Sequence, residues 1–276
     1  MRRDLGAWAL AAWAAGALPA LVAASPASAA GRGADGKFDT RTSAHFALHQ
    51  DVNIAESGGF YGSRRFEEQV LAELERAYAL LDQQLGLRPP RRLDVVIDDP
   101  ALFDAQFAPL FRFRAAGFYS GFIRVRGDTQ LTAPLARTLY HELVHAALAA
   151  VAPSLVLPAW LNEGSAEWFE WRAEGERGLP VRGREALVQL AAQNALLPLA
   201  ALSQPSFQRM DGPTASVAYL QSYGMVDYLV RSAGERSLPR FLDELVRTKD
   251  LDRALQRVYR LDLQTLEARF LGELGS

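Results

Sequence analysis

The stretch His141-Glu142-Leu143-Val144-His145 lies inside residues 132–150, a segment whose apolar spacing predicts a long α-helix. Thr132 and Pro134 favour a helix start, because threonine caps free N–H groups and proline fits the first turn. Four residues make about one turn, so both imidazoles project from one face and can share a metal ion. Glu142, beside them, can act as general base towards a metal-bound water. The stretch therefore predicts a metal site, the alternative being a polar helix face that happens to carry two histidines.

A second motif supplies a carboxylate 18 residues beyond His145. The run Trp160-Leu161-Asn162-Glu163-Gly164 opens a further helical segment, residues 160–174. A catalytic zinc takes three protein ligands and keeps one position open. We therefore predict Glu163 as the third ligand beside His141 and His145.

Three more glutamates continue the same helical stripe after Glu163, namely Glu167, Glu170 and Glu174. A metal-bound histidine usually donates its other N–H group to an acceptor. Because Glu167 lies one turn beyond Glu163, it is predicted to accept this hydrogen bond from His141 and so to orient that metal ligand. Glu170 and Glu174 are interpreted as solvated, and the alternative is that the whole stripe is a solvated acidic face.

The two motifs together resemble those of the gluzincin zinc metallopeptidases, the clan of thermolysin and the zinc aminopeptidases. The run WLNEG at residues 160–164 is similar to the aminopeptidase branch, and with Pro158 before it the run resembles the bacterial peptidase MA-like domains. The motif resemblance covers residues 135–170, and a looser resemblance covers about 40–270. It implies bound Zn²⁺, a water nucleophile, and Glu142 as base and proton shuttle.

The resemblance also implies a downstream tyrosine whose hydroxyl stabilises the oxyanion of the reaction. Tyr219 is in register with the tyrosine of the aminopeptidase Y-x-K-G-type helix, although Gln221 and Ser222 stand where that helix has lysine and glycine. Tyr223 follows one turn later and could share the same face. We take Tyr219 as the first candidate and Tyr223 as the second, the alternative being that both are core tyrosines.

Strand-like and helical segments alternate before the helix with the two histidines, and only helical spacing recurs after it. Strands are predicted over residues 43–49, 93–97 and 117–126, with a helix over 67–85. Later helices are predicted over residues 184–194, 214–233, 237–247 and 262–272. The predicted fold class is α+β. The resemblance implies a gluzincin-like small mixed sheet, an active-site helix and an all-helical C-terminal part.

In this clan an edge strand commonly pairs with extended substrate by strand addition. Residues 121–126 are similar to that strand in position, and the alternative is an internal strand. His45 and His49 alternate onto one face of a different predicted strand. They are expected to be hydrogen-bonded or exposed histidines rather than metal ligands.

The first 30 residues are typical of a signal peptide, because Arg2 and Arg3 precede an apolar run over residues 5–24 and small residues follow it. The mature chain is therefore expected to be exported, to the periplasm or the cell exterior. An uncleaved membrane anchor is the alternative. The predicted organisation is a signal peptide over residues 1–30, an α+β part over 31–150 and a helical part over 151–276 that carries the third zinc ligand.

Composition excludes several classes of site. The chain has no cysteine, which excludes a cysteine-ligated metal and a cysteine nucleophile, and its net charge of −2 offers no basic surplus for nucleic acid. The sequence therefore predicts an exported zinc metallopeptidase that acts on a peptide or protein. The alternatives are an inactive, zinc-stabilised domain that binds peptides or envelope proteins, and a zinc hydrolase that acts on another bond.

Overall fold

The computed structural model describes residues 39–52 and 62–275, so the predicted signal peptide lies outside the described residues. Five strands of the described chain form one mixed sheet in the order β1-β2-β3-β5-β4. The three central strands run parallel, and the two outer strands, β1 and β4, pair antiparallel to their neighbours. The strands are β1 Asp39–Thr42, β2 Phe46–Gln50, β3 Leu93–Asp98, β4 Gly117–Tyr119 and β5 Ile123–Arg126.

Ten α-helices occur in the described residues, two of them interleaved with the strands and eight following in succession. This arrangement confirms the predicted mixed α+β class. The helices are α1 Gly62–Leu85, α2 Pro100–Phe107, α3 Ala133–Val151, α4 Ala159–Ala173, α5 Val181–Ala192, α6 Leu199–Leu202, α7 Gly212–Ala233, α8 Ser237–Thr248, α9 Leu251–Tyr259 and α10 Leu263–Leu274. None of the helices described is long and apolar enough to cross a membrane.

The sheet lies between two layers of helix, as two successive residues of β4 show. Gly117 faces α3, where a Cβ atom on it would lie 2.7 Å from Cγ2 of Thr138. Phe118 faces the opposite layer, where its ring centroid lies 6.1 Å from that of Phe103 and 5.1 Å from that of Phe107, both on α2. Because successive strand residues point to opposite faces, α3 and α2 cover the two sides of the sheet.

The expectation that residues 121–126 form an edge strand is wrong. The predicted extended stretch is a hairpin, which turns at Gly121, a residue with φ of 94°, and β5 therefore lies between β3 and β4. Arg124 of β5 is 1% exposed, and its Nη1 lies 3.2 Å from Oδ1 of Asp98 on β3. Burial raises the pKa of Asp98 to about 7, although the guanidinium of Arg124 acts to lower it. The strand at this edge of the sheet is β4.

Helix α4 packs against both α3 and α7, and its contact with α7 depends on Gly164. A Cβ atom at this position would lie 2.4 Å from the backbone oxygen of Ser222 and 2.8 Å from Cγ2 of Val226. The obstacle includes backbone, which a side-chain rotation cannot relieve. The glycine that follows Glu163 in the sequence is therefore required by the approach of two helices.

We predict that Gly164→Ala destabilises the protein by about 1–3 kcal/mol, the usual cost of overpacking. Gly272 on α10 is the matched control, because a Cβ atom there would meet nothing within 4 Å. Gly272→Ala should be neutral or stabilise the helix by up to about 1 kcal/mol. Urea unfolding of both variants measures the difference, and equal midpoints would contradict the packing argument.

Candidate metal centre

Two helices bring together the three residues predicted as metal ligands. His141 and His145 lie on α3 and Glu163 lies on α4, and each offers one ligand atom within 4.8 Å of the other two. Oε2 of Glu163 lies 3.2 Å from Nε2 of His141 and 3.4 Å from Nε2 of His145. All three side chains are buried. Two imidazole nitrogens therefore point at one carboxylate oxygen.

The sequence of α3 explains the position of its two histidines. Thr132 caps the helix by accepting a hydrogen bond from the N–H of Leu135, and Pro134 occupies the first turn. The helix continues without interruption through the motif, so the rings of His141 and His145 lie one turn apart with their centroids 5.0 Å from each other. Regular helix geometry thus places both histidines on the side that meets α4.

The outer nitrogen of each histidine has a hydrogen-bond partner on α4. Nδ1 of His145 lies 3.0 Å from Oδ1 of Asn162. Nδ1 of His141 lies 3.2 Å from Oε2 of Glu170, while the nearest oxygen of Glu167 is 3.9 Å away. These partners fix ring orientation in the way that metal-binding histidines commonly require.

Two expectations for the acidic stripe are therefore corrected. Glu170, rather than Glu167, is within hydrogen-bonding distance of His141, and Glu170 is 1% exposed instead of solvated. Helix periodicity gives the reason: at about 100° per residue, seven residues bring a side chain within about 20° of Glu163, whereas four leave it about 40° away. Glu174 is exposed, as expected, with its Oε1 3.6 Å from Nε of Arg137.

Asn162 is a functional candidate that sequence reasoning missed. It directly precedes Glu163, and the rule that a metal-bound histidine needs an outer acceptor applies to His145 as well as to His141. Applied to His145, the same rule predicts an acceptor among the polar residues next to Glu163, and Asn162 is that acceptor.

The electrostatics of the centre favour a positive charge among its carboxylates. Burial acts to lower the pKa of His141, but hydrogen bonds with Glu163 and Glu170 outweigh it and raise the pKa well above its usual value. Burial acts to raise the pKa of Glu163, but His145 and His141 outweigh it and lower the pKa. Burial, followed by the charge of Glu170, raises the pKa of Glu167 to about 8.

Two enclosed polar atoms at the centre have no hydrogen-bond partner within the described part of the chain. They are Nε2 of His145, whose 3.4 Å contact with Oε2 of Glu163 does not have the geometry of a hydrogen bond, and Oε2 of Glu142. Buried polar atoms are rarely left unpaired, because desolvation without a hydrogen bond is costly. A cation held by two imidazoles and Glu163 would engage the first atom, and a water beside it would engage the second. The donor set of two histidines and one glutamate fits Zn²⁺ with an open position.

Strand β4 passes close to Glu142. A Cβ atom at Gly117 would lie 3.1 Å from Oε1 of Glu142, so a glycine allows the strand to reach the carboxylate. Burial raises the pKa of Glu142 well above its usual value, although His141 opposes the shift.

The two candidate tyrosines differ in their surroundings. The ring of Tyr219 lies 6.3 Å from the ring of His141, centroid to centroid. The pKa of Tyr223 is raised, first by burial and then by the charges of Asp227 and Glu167. Tyr219 therefore lies beside His141, whereas the charges of Asp227 and Glu167 affect the pKa of Tyr223.

The other two histidines have partners away from the metal centre, as expected. Nδ1 of His45 lies 2.6 Å from Oε2 of Glu75. Nε2 of His49 lies 3.1 Å from Oδ1 of Asp94. Neither histidine belongs to a potential metal-binding group within residues 39–52 and 62–275.

Comparison with known proteins agrees with this geometry. A family model described as the peptidase MA superfamily matches residues 120–274, which is more than half of the chain and includes both motifs of the metal centre. No curated protein matches the chain. The match includes β5 and every helix from α3 to α10, and on this basis the chain belongs to the peptidase MA superfamily.

Proposed function

We propose that this protein is a zinc metallopeptidase of the gluzincin type, which hydrolyses peptide bonds with an activated water. The convergence of His141, His145 and Glu163 within 4.8 Å, next to the unpartnered carboxylate oxygen of Glu142, carries this proposal. Superfamily membership supports peptidase activity. We also propose that residues 1–30 direct export, so that the substrates are peptides or proteins outside the cytoplasm.

The proposed zinc ligands are His141, His145 and Glu163. Bound zinc supplies Lewis acidity, which makes a water molecule nucleophilic near pH 7 and polarises the substrate carbonyl. Asn162 and Glu170 keep the two imidazoles turned so that their Nε2 atoms face Glu163. A fixed ring orientation lowers the entropic cost of forming the site.

Glu142 accepts a proton from the water and delivers it to the amine of the leaving product. Its buried position favours the neutral carboxyl that exists between these two steps, since burial penalises the carboxylate. Tyr219 donates a hydrogen bond to the oxyanion that develops at the carbonyl. Its contact with the ring of His141 supports this assignment over Tyr223.

We predict that Glu142→Gln retains zinc but lowers peptide cleavage by about 10²–10⁴-fold, because the amide cannot accept the proton. Glu174→Gln is the matched control, since Glu174 is exposed and pairs with Arg137 instead of the histidines. Mass spectrometry of a diverse peptide mixture, incubated with zinc-loaded protein, measures cleavage. Wild-type turnover by the Glu142 variant would refute its role. A zinc-replete wild type that cleaves no peptide would favour the inactive binding domain.

We predict about one zinc per chain in the wild type and a loss of affinity above about 100-fold in Glu163→Ala, since changes to outer hydrogen-bond partners alone cost about 10–100-fold. His45→Ala is the control, because it removes a histidine that pairs with Glu75 outside the centre. Competition with a chromogenic chelator measures the affinity. Unchanged zinc binding in Glu163→Ala would refute the three-ligand site.

We predict that Tyr219→Phe lowers kcat by about 10²–10³-fold, the typical effect of removing one oxyanion donor. Zinc affinity should stay unchanged. Tyr223→Phe removes the same atom one turn away and should have a much smaller effect. Steady-state kinetics on one cleaved peptide compares the two variants, and a larger loss of kcat in the Tyr223 variant would reverse the assignment.

A further inference from the structure

The metal centre is closed to solvent. Exposure is 0% for His141, 1% for Glu142, 2% for His145 and 1% for Glu163. Hydrolysis requires a peptide carbonyl to come within about 3–3.5 Å of the reacting groups. Because substrate cannot reach buried atoms in this conformation, an element that covers the centre has to move.

Residues 203–211, between α6 and α7, contribute to this cover. Phe207 in this segment is 0% exposed and packs edge-on against Tyr219, with the ring centroids 5.5 Å apart. Tyr219 in turn lies against His141. A single ring therefore separates the segment from a proposed metal ligand.

The same segment reaches across to the sheet side of the centre. The carbonyl of Gln208 accepts a hydrogen bond of 3.3 Å from the backbone N–H of Arg112. Next to it, a Cβ atom on Gly212 would lie 3.9 Å from Cβ of Phe113. Arg112 and Phe113 precede β4, the strand whose Gly117 passes Glu142. Residues 203–211 thus contact Tyr219 on α7 on one side of the centre and the segment that leads into β4 on the other.

The two ends of the segment are held differently. Near its start, the carbonyl of Gln204 accepts a hydrogen bond of 2.8 Å from the N–H of Ala159, the first residue of α4. Internal hydrogen bonds join Met210 to Phe207 and Gln208 to Ser206. The segment is therefore held at its base by the shorter hydrogen bond, to Ala159, and at its far end by the longer one, to Arg112.

We propose that residues 203–211 form a lid over the metal centre, which opens at the contact between Gln208 and Arg112 to admit substrate. The need for opening rests on the proposed function, whereas the lid motion itself can be measured without an assay of peptide cleavage. Phe207 and Tyr219 move apart in the open form, which exposes the face of Tyr219 that Phe207 covers.

Amide hydrogen exchange of the unmodified protein tests the lid directly, with and without zinc. Lid opening releases the N–H of Arg112 but keeps the N–H of Ala159 bonded to Gln204. We expect the Arg112 amide to exchange at least about tenfold faster than the Ala159 amide, after correction for intrinsic rates. Equal protection of the two amides would overturn the proposal.

A disulfide tests whether opening controls access. The chain has no cysteine, so Arg112→Cys combined with Gln208→Cys creates one thiol pair. After oxidation, with the bond verified by mass spectrometry, removal of zinc by 1,10-phenanthroline and peptide cleavage should both slow by at least about tenfold. A phosphine reductant should restore both rates. The two single-cysteine variants under the same oxidant are the controls.

The outcomes separate the lid from the proposed function. Unchanged zinc removal in the oxidised pair would overturn the lid, even if the wild type cleaves peptides. A wild type that binds no zinc would overturn the proposed function, and hydrogen exchange would still decide the lid. If the disulfide does not form under oxidant, Phe207→Leu replaces it. This variant should speed zinc removal by loosening the contact with Tyr219, and an unchanged rate would count against the lid.

Discussion

The buried carboxylate of Glu163 is the constraint on which the rest of the centre depends. A carboxylate with 1% exposure is unfavourable unless positive or donor groups compensate it. His141 and His145 provide that compensation from α3, with nitrogens 3.2 and 3.4 Å away. The imidazoles then need acceptors on their outer sides, and α4 supplies both of them. One buried charge thus fixes the relative position of two helices.

The same requirement extends to α7. Glu163 and Gly164 are neighbours, so the residue that faces the histidines is followed by the one that allows α7 to approach. The close approach brings Tyr219 onto the ring of His141. A larger residue at position 164 would displace the tyrosine as well as reduce stability. The glycine of the WLNEG run is therefore connected to the chemistry through packing, although it has no functional group.

The sequence allowed prediction of the features that depend on local periodicity. Helix α3, the pairing of His141 with His145, and the presence of Glu163 on the next helix follow from spacing along one or two helices. The environment of Glu170 could not be predicted in this way, because an acidic stripe looks the same whether it faces solvent or a buried histidine. Strand order is equally non-local. Nothing in residues 121–126 indicates that β4 lies outside β5, and Arg124, which is buried beside Asp98, resembles a surface residue in the sequence.

Burial and access impose opposite demands on this centre. Enclosure strengthens the electrostatic interactions of Glu142, His141 and Glu163, because water no longer screens them. A fully enclosed centre cannot exchange substrate for product. Local opening of one segment allows the centre to be enclosed during the reaction and open for exchange. The free energy of opening is low for a segment with few strong hydrogen bonds. Residues 203–211 combine a buried side chain, Phe207, which leaves Tyr219 on opening, with a base at Gln204 that stays attached. Enclosure can therefore be temporary while α3 and α4 remain rigid around the buried charge.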